Sequence, residues 1–251
     1  MREKSPDDRL VQTATWPMRL SAIVAAVLLS PAWAGAATPQ RPAIVELYTS
    51  EGCSSCPPAE ALIEELARQP DVLPLAFHVD YWDDLGWHDR FSMKQAAQRQ
   101  NEFARSLRLN TIGTPQMIVD GRFSVWGANR ESLLRTLKTP RQDVPLSVKR
   151  DDLDLIIQTP ARTARETYDV YVVAYLPRAV TQIGRGENAG RTLTEVNIVR
   201  DIRRLGQSGQ TPGEWKVPIS SFPKDASRAA VFLQTTGNGA IAGLRALDLR
   251  N

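Results

Sequence analysis

Two short apolar runs, "AIVELYT" at residues 43–49 and "VLPLAFHV" at residues 72–79, stand on either side of a stretch with helical periodicity. In "AEALIEELARQ", Leu62, Ile63 and Leu66 recur at three- and four-residue spacing among Glu60, Glu64 and Glu65, the pattern of an amphipathic helix. Each apolar run has the length of a buried strand and is too short for a buried helix. A strand, a helix and a returning strand within about 37 residues make a βαβ unit with the two strands parallel. That unit sets the class of the chain as α/β.

The connection between the first strand and the helix reads "EGCSSCPPAE" and holds both cysteines of the chain, Cys53 and Cys56. Pro57 and Pro58 lack N–H groups, so both fit the first helical turn, where backbone donors have no partner in any case. This predicts Ser54 or Ser55 as the N-cap, with Cys53 at the helix mouth and Cys56 one turn in. Unpaired N–H groups and the helix dipole favour the thiolate there, and the thiolate is the reactive form of cysteine. The expected arrangement is an exposed attacking sulfur at Cys53 and a more shielded resolving sulfur at Cys56. A loop this short removes little entropy from the unfolded chain, which argues against a purely structural staple. A strand leading into Cys-x-x-Cys at the start of a helix, in a βαβ frame, is the thioredoxin-like redox signal. A second feature agrees with it. "IGTPQMIVDG" sets Thr114-Pro115 before an apolar strand, like the thioredoxin segment in which a cis-proline faces the cysteine pair. Thr114 and Pro115 are therefore expected to orient a substrate backbone beside Cys53.

Between these motifs, "DYWDDLGWHDRF" reads as a surface loop rich in aromatics and acids. Residues 92–109 read as a polar helix lying on the surface through Met93, Ala96, Ala97, Phe103 and Leu107. Strands at 116–119 and 122–126 flank an Asp120-Gly121 turn, a strong hairpin signal. Asn129 is a plausible N-cap for a short helix beginning at Arg130. After "TPRQDVP" helical periodicity nearly vanishes. Strands are predicted at 146–158, 168–176, 192–202, 214–219, 229–234 and 240–249, joined by turns such as "RGENAGR". The expected organisation is a thioredoxin-like domain at 41–139 followed by an antiparallel β domain at 146–251 packed against it.

The N-terminus carries an address. Arg19 precedes an apolar stretch of about ten residues, too short to span a bilayer, that ends in "AWA" or "AGA". Residues 1–34 are read as a secretory signal peptide, with the mature start near 35–37 and Met18 as an alternative initiator. The expected location is periplasmic or secreted, with no stable membrane span after cleavage and a compartment where a disulfide persists. A net charge of +3, dispersed along the chain, gives no footprint for a nucleic-acid partner.

"VELYTSEGCSSCPPAE", "AFHVDYWDDLGW", "RQNEFA", "TPQMIVDG" and "GENAGRTLTEVNIVRD" together resemble the exported bacterial family called domain of unknown function 1223. The resemblance implies a thioredoxin-like fold and export. The chain departs from thioredoxin itself at several places. Leu47 stands six residues before Cys53, where thioredoxins carry a buried acid, and Glu46 faces the other side of the strand. Gly52 replaces the usual aromatic, and Cys56 and Pro115 are 59 residues apart. These departures favour a dedicated partner over general reductase activity.

The expected function is thiol–disulfide exchange with a protein or peptide partner, with Cys53 and Cys56 as catalytic residues. No cofactor is needed beyond the Cys53–Cys56 disulfide. Thr114, Pro115 and Trp82 would bind substrate, and Glu51 or Asp80 would shuttle a proton, although Glu51 also reads as a solvated turn acid. One alternative is a copper or zinc site built from Cys53, Cys56 and His78. Another is a non-catalytic partner-binding protein whose β half does the binding.

Overall fold

The computed structural model describes residues 40–162 and 166–250. The expected signal peptide lies outside them. The described residues belong to one compact unit. None of their helices is long and apolar enough to cross a membrane.

The first half follows the predicted order. Strand β1 (Ala43–Thr49), helix α1 (Pro57–Leu66) and strand β2 (Val72–His78) form the βαβ unit, and β1 pairs β2 in parallel. Helix α2 (Lys94–Ser106), the hairpin β3 (Gln116–Val119) and β4 (Phe123–Trp126), and helix α3 (Arg130–Leu137) follow. At the hairpin Asp120 and Gly121 both have positive φ, 50° and 67°, as a tight two-residue turn requires. A Cβ on Gly121 would lie 2.4 Å from the Gly239 carbonyl oxygen, so only glycine fits. Asn129 caps α3 by accepting a hydrogen bond from the Ser132 amide at 3.0 Å.

The second half supplies β5 (Ser147–Arg150), β6 (Asp154–Thr159), β7 (Tyr168–Gln182), β8 (Thr192–Ser208), β9 (Gly213–Pro218), β10 (Arg228–Thr235) and β11 (Ile241–Asp248). The run expected as one strand at 146–158 is two. Asp151 breaks it by accepting the amides of Leu153 and Asp154 on one carboxylate oxygen, at 2.9 and 2.7 Å. The halves also share a sheet. One eight-stranded sheet runs β11-β10-β7-β8-β2-β1-β3-β4, joined by a parallel bridge between Ala76 of β2 and Ile198 of β8. A second sheet, β5-β6-β9, covers part of one face.

The two-residue period of β1 sorts the layers. Val45 and Leu47 pack with Leu62, Ile63, Leu66 and Leu133, on the side of α1 and α3. Ile44 and Tyr48 pack with Ala96 and Phe103 of α2 on the other side. Glu46 shares that second side and is buried there, where Arg99 of α2 binds it through two nitrogens at 2.6 and 2.8 Å. The polar helix 92–109 thus lies on the sheet through its few apolar residues and a buried guanidinium. His78, at the end of β2, belongs by the same alternation to the α1 side, beneath the cysteine loop.

Candidate functional site: a buried disulfide under a hairpin tip

Cys53 and Cys56 form a disulfide with Cα atoms 5.5 Å apart. Helix α1 starts at Pro57 with Cys56 at the N-cap, one or two residues later than Ser54 or Ser55. The reason is local. Pro57 has no amide to satisfy, and the Cys56 carbonyl already accepts from the Ala59 and Glu60 amides at 2.8 and 3.1 Å. The cysteine pair therefore closes the entrance to the helix, with the Ser55 hydroxyl 3.4 Å from the Cys53 sulfur.

Both cysteines are fully buried, which corrects the expectation of an exposed Cys53. The loop that holds them is bonded to a segment some 130 residues away, the tip joining β7 to β8. Asn188 is buried and its side-chain amide donates to the carbonyls of Glu51 and Cys53, each at 2.9 Å. The Glu187 carboxylate accepts from the Ser54 amide at 3.2 Å and from the Ser54 hydroxyl at 2.6 Å. Those two bonds hold the Glu187 carboxyl below its usual range, the hydroxyl contributing most. The expected hairpin tip "RGENAGR" is a tip, and it rests on the cysteine loop.

Glu51 is not the solvated turn acid that its position suggested. It is fully buried, and one carboxylate oxygen accepts from the Trp87 indole at 2.8 Å. Its other oxygen lies 4.0 Å from Arg90. Its backbone amide donates to Asp89 at 2.8 Å. Asp89 also holds His78, with Nδ1 to Oδ2 at 2.7 Å, and Nε2 of His78 faces Glu195 of β8 at 3.6 Å. Glu60 of α1, buried next to this group, accepts from the Thr49 hydroxyl at 2.7 Å. Burial alone would lower the His78 pKa, but Asp89 and then Glu195 outweigh it and hold the imidazole at about 10. Asp89 is correspondingly lowered: its own burial pushes up, and His78 overcomes that. Burial raises Glu195 to about 8 against the pull of His78, and burial raises Glu60 against its bond from Thr49. At neutral pH the pattern is an imidazolium bound to the Asp89 carboxylate, with Glu195 held neutral beside it.

The predicted substrate-binding residues come together on the other side of the loop. The Trp82 indole donates to the Thr114 hydroxyl at 2.9 Å, and the Thr114–Pro115 peptide is cis. Trp82 also packs against Gly52, where an added Cβ would sit 3.5 Å from the Trp82 Cβ. This chain of contacts joins the residue before Cys53 to the residue before Pro115. The Pro115 carbonyl is taken by the Gly127 amide at 2.9 Å. Asp80 opens a single 3-10 turn, Asp80–Trp82, and is half-buried. Its carboxylate has no hydrogen bond to the cysteine loop among the described residues, and Glu51, Glu60 and Glu195 occupy the acidic positions near α1 instead. His88 is exposed and pairs with Asp83 at 3.2 Å. Among the described residues no three His, Cys, Asp or Glu side chains are grouped to hold a metal ion.

Sequence reasoning missed Glu187, Asn188, Asp89, Glu60 and Glu195 as parts of this site. The first two and Glu195 sit in "GENAGRTLTEVNIVRD", and the visible signal was a carboxylate inside an otherwise strand-like run.

The fold and site define an α/β protein whose crossover helix opens on a buried cysteine pair. The chain belongs to the family described as protein of unknown function DUF1223, whose family model matches residues 44–234. It is similar to a protein from Agrobacterium tumefaciens solved by X-ray crystallography, at 30% identity over 84% of this chain and 96% of that one, with a TM-score of 0.72. It also shares a fold with HBP35 of Porphyromonas gingivalis, at 12% identity over 84% of this chain and 76% of that one, with a TM-score of 0.54. No curated protein sequence matches the chain.

Proposed function

We propose that this is an exported thioredoxin-like protein that exchanges disulfides with a protein or peptide partner through Cys53 and Cys56. The observation that carries the reading is the convergence on one loop of the cysteine pair, the start of α1 and the Trp82–Thr114–Pro115 contact. The βαβ frame with β3 and β4 beside β1 supports the thioredoxin-like reading of residues 41–139. The N-terminal sequence supports periplasmic or secreted placement.

In the reduced form the Cys53 thiolate attacks one sulfur of a partner disulfide. A Cys53–partner bond forms, and the other partner sulfur leaves as a thiolate and takes a proton from solvent. The Cys56 thiolate then attacks Cys53, closing the Cys53–Cys56 bond and releasing the second partner sulfur. The partner gains two electrons and this protein loses them; the reverse sequence oxidises the partner. The positive end of the α1 dipole favours the thiolates at both steps.

Equilibration with glutathione tests the reading. Structural disulfides have potentials below about −300 mV and resist the glutathione pool, whereas exchanging ones do not. Reduced and oxidised forms should both be populated across a series of glutathione ratios. A protein that stays fully oxidised at the most reducing ratio would make the disulfide a staple.

A further inference from the structure

We propose that the tip between β7 and β8 is a self-inhibitory latch over the Cys53–Cys56 disulfide, which must lift before a partner sulfur can attack. The inference deepens the proposed exchange function by naming how that same site is regulated.

A thiolate has to approach a disulfide sulfur to react with it, and both sulfurs belong to fully buried residues. The tip is bonded to the backbone on both sides of Cys53: Asn188 to the carbonyls of Glu51 and Cys53, and Glu187 to the amide and hydroxyl of Ser54. A partner chain docking on the cysteine loop would compete for those same backbone groups. A loop at the front of an exchange site therefore has its polar groups occupied by the protein's own chain.

The tip is also built to move as a unit. Its own bonds are internal, with Ile183 and Arg191 paired at 2.9 Å, Gly190 to Ile183 at 2.8 Å, and Ala189 to Gly186 at 3.1 Å. Arg191 additionally holds the Asn188 side-chain oxygen at 3.0 Å. Gly186 and Gly190 bracket Glu187 and Asn188 with φ of +77° and +80°. Such residues tolerate the backbone changes of a hinge. Gly186 rests on the Trp87 side chain, where an added Cβ would approach the Trp87 Cβ to 3.1 Å. Trp87 in turn donates to Glu51. Lifting the tip breaks few bonds and leaves β7 and β8 paired below it.

The test is the rate at which dithiothreitol reduces the disulfide in the folded, oxidised protein, read as labelled thiols by mass. Dithiothreitol supplies two electrons and two protons. The Cys53–Cys56 bond breaks, two thiols form, and the reductant leaves as its cyclic disulfide. Asn188→Ala should be reduced about tenfold faster than wild type, and Glu187→Ala about threefold faster, the scale set by one or two lost hydrogen bonds. Wild-type rates in both variants would overturn the latch. If Asn188→Ala melts early, Glu187→Ala carries the test alone, because Glu187 is exposed and packs no core. A wild-type rate that climbs steeply with urea below the unfolding transition would also overturn it, since only global unfolding would then uncover the sulfurs. Failure to exchange with glutathione would remove the proposed function while leaving these rates interpretable, so the two readings fail separately.

Discussion

Glu195→Gln separates the titration of the buried acid from its shape. In the folded protein burial holds Glu195 near 8, against an ordinary value of 4.5. A raised carboxyl contributes stability that is complete below the unfolded value and is lost as pH climbs through the folded one, because the native state keeps a proton that the unfolded chain has released. Between pH 5 and pH 7 the unfolded side chain is mostly ionised and the folded one mostly not. At about 1.4 kcal/mol per pH unit, Glu195 should cost the native state about 2–3 kcal/mol across that interval. His78, raised to about 10, is lost in the same direction but mainly above its unfolded value of 6.5. Asp89 is lowered, and its contribution disappears only as pH falls into the carboxylate range. Urea denaturation of the oxidised protein at pH 5 and pH 7 measures the difference directly. Wild type should lose about 2–3 kcal/mol more than Glu195→Gln over that step. Equal losses would refute the claim that Glu195 is a neutral acid buried beside His78.

Other outcomes follow from single contacts. Arg99→Met leaves the Glu46 carboxylate buried without its guanidinium, and removing one partner of such a pair should destabilise by about 3–5 kcal/mol in denaturant. Trp82→Phe removes the indole bond to Thr114 and should slow exchange with a disulfide-bonded peptide about tenfold while leaving dithiothreitol reduction unchanged; equal effects on both would detach Trp82 from substrate positioning. Metal analysis of reduced protein should find no stoichiometric copper or zinc; metal lost in Cys53→Ala would favour the metal-site alternative.

Much of the frame was legible because local chemistry punctuates it. Pro42 and the turn after Thr49 bound β1, and Asp120-Gly121 specifies the hairpin between β3 and β4. The double proline correctly placed the start of α1, although the cap moved to Cys56. Errors arose where a partner lies far away in sequence. Nothing near residue 188 says that its side chain binds a carbonyl at residue 53. Glu51 reads as a turn acid until Trp87 and the tip cover it. The apolar run at 146–158 hid a break because the Asp151 carboxylate, rather than a glycine or proline, makes the turn. The pairing of β2 with β8 that unites the halves depends on one bridge, Ala76 to Ile198, which no periodicity announces.

The most direct measurement of disulfide exchange is the capture of covalent intermediates by Cys56→Ala. Without its resolving sulfur, Cys53 should remain joined to partners as reducible adducts, recovered from an exported fraction and absent in the Cys53→Ala/Cys56→Ala double variant. Recovery of no disulfide-linked species, or the same species from the double variant, would contradict the account.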